Sequence, residues 1–198
     1  MAQPILGIIL PLSYYIQLTR VEWKWVVKCL DLKSDSLRKK SKPIKEVVTK
    51  LLDGDAFIFN EQFVMKESNT PSSFNWHQDS GYINFDHKPY LTTWLALDDT
   101  HSLNGPLSVI PTNIGITAEV LTHKWSDKSK DLFIEVDEAK AKTFHVAAGT
   151  LVVFSSLTPH ASGANQSSRT RTAYLAQYSS EPIIDPNTGL NRNQAIQI

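Results

Sequence analysis

The sequence predicts a mostly β fold, a sandwich or barrel with helices packed outside it. Three observations carry that expectation. Past residue 55, short apolar runs recur between turn residues. Before it, the stretch Pro43 to Leu52 repeats at helical spacing. The 198 residues are 41% hydrophobic and 20% charged, ordinary for a globular protein and enough for one domain with a sizeable core. We therefore expect one domain over 1–198. Residues 1–54 form a mainly helical support, 55–180 the β core and 181–198 a C-terminal tail.

The first stretch, Pro4 to Leu18, is largely apolar but interrupted by Pro11 and Ser13. It falls short of the ~20 residues that span a bilayer. It lacks a basic start and a small-residue cleavage site, so it is expected to pack on the domain. Val21 to Leu32 is apolar enough for a helix or a buried strand, and periodicity does not choose. Ser34-Asp35-Ser36 offers helix caps, and Pro43 limits any helix before it. From Pro43 a helix is expected, with Ile44, Val47, Val48, Leu51 and Leu52 on one face and Gly54 ending it.

The strand candidates follow in order: Ala56–Phe59, Phe63–Lys66, Phe74–Gln78, Tyr90–Leu97, Leu107–Pro111, Lys142–Val146, Thr150–Ser155 and Thr172–Tyr178. Asn104-Gly105-Pro106, Ala148-Gly149 and Ser162-Gly163 mark turns between them. Gly115 to Ala141 is more polar and irregular, and reads as an insert over the mouth of the barrel.

Twenty basic and twenty acidic residues cancel, so no net field favours nucleic acid or an anionic membrane, and neither partner is expected. The basic cluster Arg38, Lys39, Lys40, Lys42 and Lys45 reads as a solvated surface. Cys29 is the only cysteine, which excludes an intramolecular disulfide and a cysteine-built metal cluster. It reads as a packing residue and fits a reducing compartment, the cytoplasm.

Chemistry concentrates in Phe74-Asn75-Trp76-His77-Gln78-Asp79. In a strand, residues two apart share a face, so His77 and Asp79 would project an imidazole and a carboxylate side by side. Two ligands hold a metal weakly, so a third is needed. His160, after the apolar run Leu151 to Phe154, is the best candidate, and His145 is the rival. Two histidines and one carboxylate make the facial triad of iron(II) oxygenases, with positions left open for substrate and dioxygen. Such an enzyme needs a two-electron co-substrate. 2-Oxoglutarate is one, and its far carboxylate calls for an arginine fork. Arg169 and Arg171 both lie near the strand after His160, and alternation puts them on one face without choosing between them.

These residues resemble the phytanoyl-CoA dioxygenase family of iron(II)/2-oxoglutarate oxygenases, over roughly residues 63–178. Trp76-His77-Gln78-Asp79 resembles its WHQD signature, and Trp94-Leu95-Ala96-Leu97-Asp98-Asp99 its W-x-A-L-D-D strand. Asn104-Gly105-Pro106-Leu107 with Ile110-Pro111 resembles N-G-x-L-x-x-I-P. Ala148-Gly149-Thr150 to Phe154, then His160-Ala161-Ser162 with Asn165 and Ser167, resembles the segment around the distal histidine. The resemblance implies a double-stranded β-helix, a cupin-like jelly roll with flanking helices. It implies iron(II) on His77, Asp79 and His160. It selects Arg171 over Arg169 for 2-oxoglutarate, and adds Ser162, Trp94 and Gln62 as co-substrate contacts. Lys66 matches a recurrent lysine ahead of the signature, with a structural salt bridge as an equal reading. The sequence departs from the family pattern at Leu103 and at Thr112-Asn113-Ile114.

The activity so implied is hydroxylation of a small molecule with dioxygen, releasing succinate and carbon dioxide, ascorbate being supportive. Asp79 favours hydroxylation over halogenation, since related halogenases have a small non-ligating residue there. Desaturation, epimerisation and ring formation would use the same ligands. Two readings stand beside it: a non-catalytic metal-binding pseudoenzyme of the same fold, and a zinc hydrolase, which lacks an obvious general base and leaves Arg171 unexplained. The sequence does not indicate an oligomeric state.

Overall fold

A computed structural model of the chain describes residues 16–18, 42–111 and 119–198. The expectations for Val21 to Leu32, Ser34 to Ser36, Cys29, Arg38 to Lys40 and Thr112 to Ile114 lie outside the described residues, as does all of Pro4 to Leu18 but its last three residues. Among the described residues no helix is long and apolar enough to cross a membrane.

Helix α1 spans Lys42–Leu52. Its apolar positions recur three and four apart, so Ile44 and Val48 bury while Val47, Leu51 and Leu52 pack beside them. It ends as Asp53 takes φ +56° and the Gly54 N–H reaches the Thr49 carbonyl at 3.0 Å. The left-handed residue is thus Asp53, one position before the expected Gly54.

The described residues form twelve strands, one before the helix and eleven after it. They are β1 (Ile16–Leu18), β2 (Phe57–Lys66), β3 (Phe74–His77), β4 (Leu91–Ala96), β5 (Leu107–Val109), β6 (Lys124–Ser126), β7 (Asp131–Phe133), β8 (Lys142–Thr143), β9 (Leu151–Ser155), β10 (His160–Ser162), β11 (Arg171–Ser179) and β12 (Ile196–Gln197). They form a six-stranded sheet in the order β1-β9-β4-β11-β2-β12, a four-stranded sheet β3-β10-β5-β8 and the hairpin β6-β7. Every pairing is antiparallel.

Alternation sorts the side chains of the large sheet. Leu91, Leu95, Leu151, Val153, Ala176 and Tyr178 face α1. Trp94, Ala96, Val152, Phe154 and Ala173 face the other way and meet Leu107 and Val109 of the small sheet, with Phe144 and Val146 beside it. The result is the expected mostly β jelly roll with a helix on its outer face.

Three local expectations change. Ala56–Phe59 and Phe63–Lys66 are one strand, because Asn60 to Gln62 continue the ladder with β11. These polar residues interrupt the apolar pattern because Asn60 and Gln62 line a cavity rather than a core. Within that strand, Asn60 pairs with Gln177 and Ile58 with Tyr178, so Phe59 is the extra residue of a bulge. The bulge lets Phe59 and Asn60 both line the cavity. The expected tail is folded in: Asp185 N–H bonds to the Leu190 carbonyl, Arg192 N–H to that of Ile183, and β12 pairs with β2. Of the expected insert, residues 119–141 carry the β6-β7 hairpin, anchored by Ile134 N–H on the Trp76 carbonyl at 2.8 Å.

Candidate metal centre

The strand β3 ends at His77, and Asp79 opens a single 3₁₀ turn, Asp79–Tyr82. Gln78 between them is still extended, at φ −112° and ψ 138°, so the two side chains keep the same-face relation expected of residues two apart, although the strand itself ends at His77. His160 begins β10, where it sits opposite His77 on one side and Val109 on the other. His160 is expected at the end of the apolar strand before it; instead β9 stops at Ser155 and His160 starts a short strand of its own. That pairing brings the His77 and His160 rings to 4.2 Å between centroids. One ligand atom from each of His77, Asp79 and His160 lies within 4.8 Å of the others, and all three residues are buried.

Each ligand atom is aimed by a second hydrogen bond. His77 Nδ1 donates to the Asn75 carbonyl at 2.6 Å and His160 Nδ1 to the Thr158 carbonyl at 2.9 Å. A carbonyl only accepts, so both rings keep their proton on Nδ1 and turn the Nε2 lone pair inward. The Thr92 hydroxyl donates to Asp79 Oδ2, leaving Oδ1 facing the two imidazoles, 4.0 Å from His77 Nε2 and 3.7 Å from His160 Nε2. Gln177 Nε2 donates to Thr92 Oγ1 at 3.5 Å, and Asn60 Nδ2 to Gln177 Oε1 at 3.0 Å. Burial, reinforced by the neighbouring His77, pushes the His160 pKa down to about 4, so its ring is neutral and ready to ligate.

Gln78, between the ligands, is buried and joins three segments. Its amide donates to the carbonyls of Leu157 and Glu119, and its oxygen accepts from Leu121 N–H. Its backbone N–H donates to His123 Nε2 at 3.0 Å. The ring of His123 lies so close to Gly81 that a Cβ there would meet it at 2.3 Å. His145 is exposed and does not approach the cluster.

The ligands open into a cavity of about 350 Å³ lined also by Phe59, Tyr90, Trp94, Phe154 and Leu175. Arg171 lines it and is only 1% exposed, whereas Arg169 is exposed outside it. Arg171 Nη2 donates to the Gly105 carbonyl at 2.6 Å and Nε to that of Asn104 at 3.3 Å. Its Cζ stands 5.7 Å from the centre of the Trp94 ring. Its Nη1 is buried with no partner. Burial pushes the Arg171 pKa down to about 10, and the Asp98 charge opposes that shift.

The Asn-Gly motif follows from this arrangement. Gly105 holds φ +68°, and a Cβ there would meet the Gly163 carbonyl at 2.4 Å. Asp98 accepts from Thr172 N–H at 2.7 Å, anchoring the strand right after Arg171. Lys66, opposite Arg171 in the β2-β11 ladder, donates to the carbonyls of Ser72, Ser162 and Gly163. No carboxylate lies within ion-pair distance of it among the described residues, so of the two readings the salt bridge is not made and a carbonyl cage stands in its place. Burial and the Arg171 charge push its pKa down to about 8.

Ser162, Trp94 and Gln62 all line the cavity, Trp94 buried, Ser162 half-buried and Gln62 exposed at the mouth. The sequence reading missed Thr92, Gln177 and Asn60 behind Asp79, and Tyr82, Asp131 and Arg192 at the mouth. Thr92 carried a signal, since it shares the inward face of β4 with Trp94. Gln177 carried the same kind of signal, sharing a face of β11 with Arg171 and Leu175, and Asn60 sits at the bulge of β2, whereas Tyr82, Asp131 and Arg192 lie in a turn, a hairpin strand and the C-terminal segment.

The fit to a metal and a carboxylate ligand rests on the chain itself. Two imidazoles and one carboxylate converge with their second atoms engaged, and a buried guanidinium N–H lacks an acceptor.

Comparison with known proteins places this geometry in a lineage. The family profile described as Phytanoyl-CoA dioxygenase (PhyH) matches residues 26–173. A Phytanoyl-CoA dioxygenase domain-containing protein 1 homolog of Caenorhabditis elegans is 28% identical over 127 residues, 59% of this chain and 44% of that protein. A 2-aminoethylphosphonate dioxygenase from Uncultured bacterium HF130_AEPn_1 is 29% identical over 135 residues, 67% of this chain and 49% of that protein. The chain thus spans about half the length of these curated relatives. The crystal structure of EvdO2 from Micromonospora carbonacea var. aurantiaca, complexed with 2-oxoglutarate, superposes with a TM-score of 0.63 at 24% identity, over 89% of this chain and 73% of that one. The chain belongs to the phytanoyl-CoA dioxygenase (PhyH) family.

Proposed function

We propose that the protein is an iron(II)- and 2-oxoglutarate-dependent dioxygenase that hydroxylates a small molecule, releasing succinate and carbon dioxide. The observation that carries the reading is Arg171 Nη1, buried beside the His77-Asp79-His160 cluster without an acceptor. A buried charged donor left unpaired costs more than ~1–3 kcal/mol. The distal carboxylate of 2-oxoglutarate would satisfy it. Family membership and the 2-oxoglutarate bound to EvdO2 support the same co-substrate.

In this reading His77 and His160 hold iron through Nε2 and Asp79 through Oδ1, with Thr92 pinning the other carboxylate oxygen. Bound iron(II) and 2-oxoglutarate supply the redox chemistry with dioxygen. The protein supplies placement. Arg171 fixes the co-substrate end, Trp94 and Ser162 flank it, Gln62 stands at the mouth, and Phe59, Phe154 and Leu175 keep water from the reacting face. About 350 Å³ lies at the low end of the ~300–1,000 Å³ of ligand pockets, which suits a small substrate beside 2-oxoglutarate. The 2-aminoethylphosphonate dioxygenase among the relatives also acts on a small molecule by its name.

The test is incubation of the full chain with iron(II), 2-oxoglutarate and ascorbate in air, following succinate, beside calorimetric titration of 2-oxoglutarate. Turnover should vanish in His77→Ala, Asp79→Ala and His160→Ala. Absence of 2-oxoglutarate binding would instead favour a non-catalytic barrel, and zinc after anaerobic purification a hydrolase.

A further inference from the structure

The cavity carries charged groups besides Arg171 and the metal cluster. Asp131 of β7 and Arg192 of the folded-back C-terminal segment line the same cavity as the metal cluster. Arg192 Nη2 donates to the Tyr82 carbonyl at 2.9 Å. Among the described residues no carboxylate lies within 4.0 Å of its guanidinium. Asp131 Oδ1 accepts from the Tyr82 hydroxyl at 2.7 Å and from Leu132 N–H at 2.8 Å. Among the described residues no lysine or arginine lies within ion-pair distance of it, and its Oδ2 accepts no hydrogen bond from them. Tyr82 therefore stands between a cation and an anion that do not neutralise each other, one at its carbonyl and one at its hydroxyl.

The pair is close to the chemistry. The Tyr82 ring packs edge-on against the His77 ring, with centroids 5.6 Å apart. Tyr90, in the cavity wall, lies within electrostatic reach of both Asp79 and Arg192. Opposite charges held apart in a half-buried cavity are each only partly solvated. A ligand carrying both signs relieves both at once. A guanidinium prefers a planar or tetrahedral oxyanion that takes two N–H bonds, and a free carboxylate oxygen prefers an ammonium.

We infer that the substrate is a small zwitterion, its oxyanion bound by Arg192 and its ammonium by Asp131, with the carbon skeleton between them laid over the metal beside Tyr82. The inference rests on the oxygenase reading, because it takes the substrate to lie in the metal cavity. An amino carboxylate and an amino phosphonate share this chemistry.

The test uses the full chain loaded with manganese(II) and 2-oxoglutarate without oxygen, so that binding is read by calorimetry apart from turnover. The probes are the ω-amino acids β-alanine, 4-aminobutyrate and 5-aminovalerate, and 3-aminopropylphosphonate, each beside the amine and the acid of the same skeleton. At least one zwitterion should bind about tenfold more tightly than both of its singly charged counterparts. The class that binds separates carboxylate from phosphonate. Arg192→Gln and Asp131→Asn should each weaken that zwitterion about tenfold, and Arg192→Lys less, with 2-oxoglutarate affinity within threefold of wild type in all three. That last measurement reports an intact fold. If 2-oxoglutarate binds and no zwitterion is preferred, or the variants bind it as wild type does, the inference falls and the oxygenase reading stands. If Arg192→Gln weakens 2-oxoglutarate instead, Arg192 belongs to the co-substrate and the inference falls. If the wild type takes no 2-oxoglutarate, both readings fall together.

Discussion

Replacing Arg171 by methionine removes the guanidinium while keeping an unbranched apolar stem of similar reach. Three consequences can be worked from its surroundings. In the proposed reading the carboxylate of 2-oxoglutarate loses its buried cation, since among the described residues the one other buried lysine or arginine is the carbonyl-caged Lys66. Truncating one partner of a buried, hydrogen-bonded charge pair costs about 2–5 kcal/mol of binding. That range corresponds to roughly 30- to 5,000-fold in dissociation constant. The carbonyls of Asn104 and Gly105 lose their donors at the same time, at ~1–3 kcal/mol each when nothing replaces them. Against that, the unpaired Nη1 disappears from the free protein. The net stability loss should therefore be modest, about 1–3 kcal/mol, against about 2–5 kcal/mol for the co-substrate. Calorimetric titration of 2-oxoglutarate into manganese-loaded protein measures the first term, and denaturant unfolding the second. Arg169→Ala is the control, since Arg169 is exposed outside the cavity. A 2-oxoglutarate affinity within threefold of wild type in Arg171→Met, or an equal loss in both variants, would refute the assignment.

Three further perturbations follow from the same geometry. Thr92→Val keeps the shape of β4 but removes the donor on Asp79 Oδ2, so iron(II) affinity should fall about 10- to 100-fold; an unchanged metal titration would count against the role given to Thr92. Gly105→Ala forces a Cβ onto the Gly163 carbonyl at 2.4 Å in a left-handed residue. It should cost about 1–3 kcal/mol of stability and also weaken 2-oxoglutarate, because the displaced carbonyl aims Arg171. The pH prediction concerns the metal-free protein. The His160 pKa is lowered from 6.5 to about 4 on folding, so the unfolded chain binds the extra proton first. Stability is then full above pH 6.5 and declines as pH falls toward 4. His160→Gln should flatten that part of the unfolding profile, and a profile of unchanged slope would sink the claim.

Much of the fold was legible because alternation is a local property. Tyr90–Leu97 and Thr150–Ser155 were expected as strands, and β4 and β9 occupy them within a residue or so at each end. The helix from Pro43 likewise matches α1 within one residue. The split in β2 was misplaced for a physical reason. Asn60 and Gln62 are polar because they line a cavity, and a pattern read as core-or-solvent has no category for a wet interior. β10 was invisible because His160-Ala161-Ser162 is short and half polar, and it is a strand only because β3 and β5 flank it. The folded-back tail was invisible for the same reason, since Asn191-Arg192-Asn193 has no periodicity and owes its place to the turn before it.

By itself the sequence marked His77 and Asp79 as a ligand pair with His160 as the best third, and the order of its motifs, through the family resemblance, chose His160 over His145 and Arg171 over Arg169. Residue type and order along the chain are enough for that. The tertiary structure supplied the physical reason for that choice of arginine: Arg171 turns inward while Arg169 stays in solvent because β11 begins at Arg171, against Asp98 and Gly105. It alone set Thr92 behind Asp79, since a hydrogen bond between residues 13 apart is made by strand packing. And it alone brought Asp131 and Arg192 to either end of Tyr82, because a hairpin and a returning chain end meet there only once the barrel has closed.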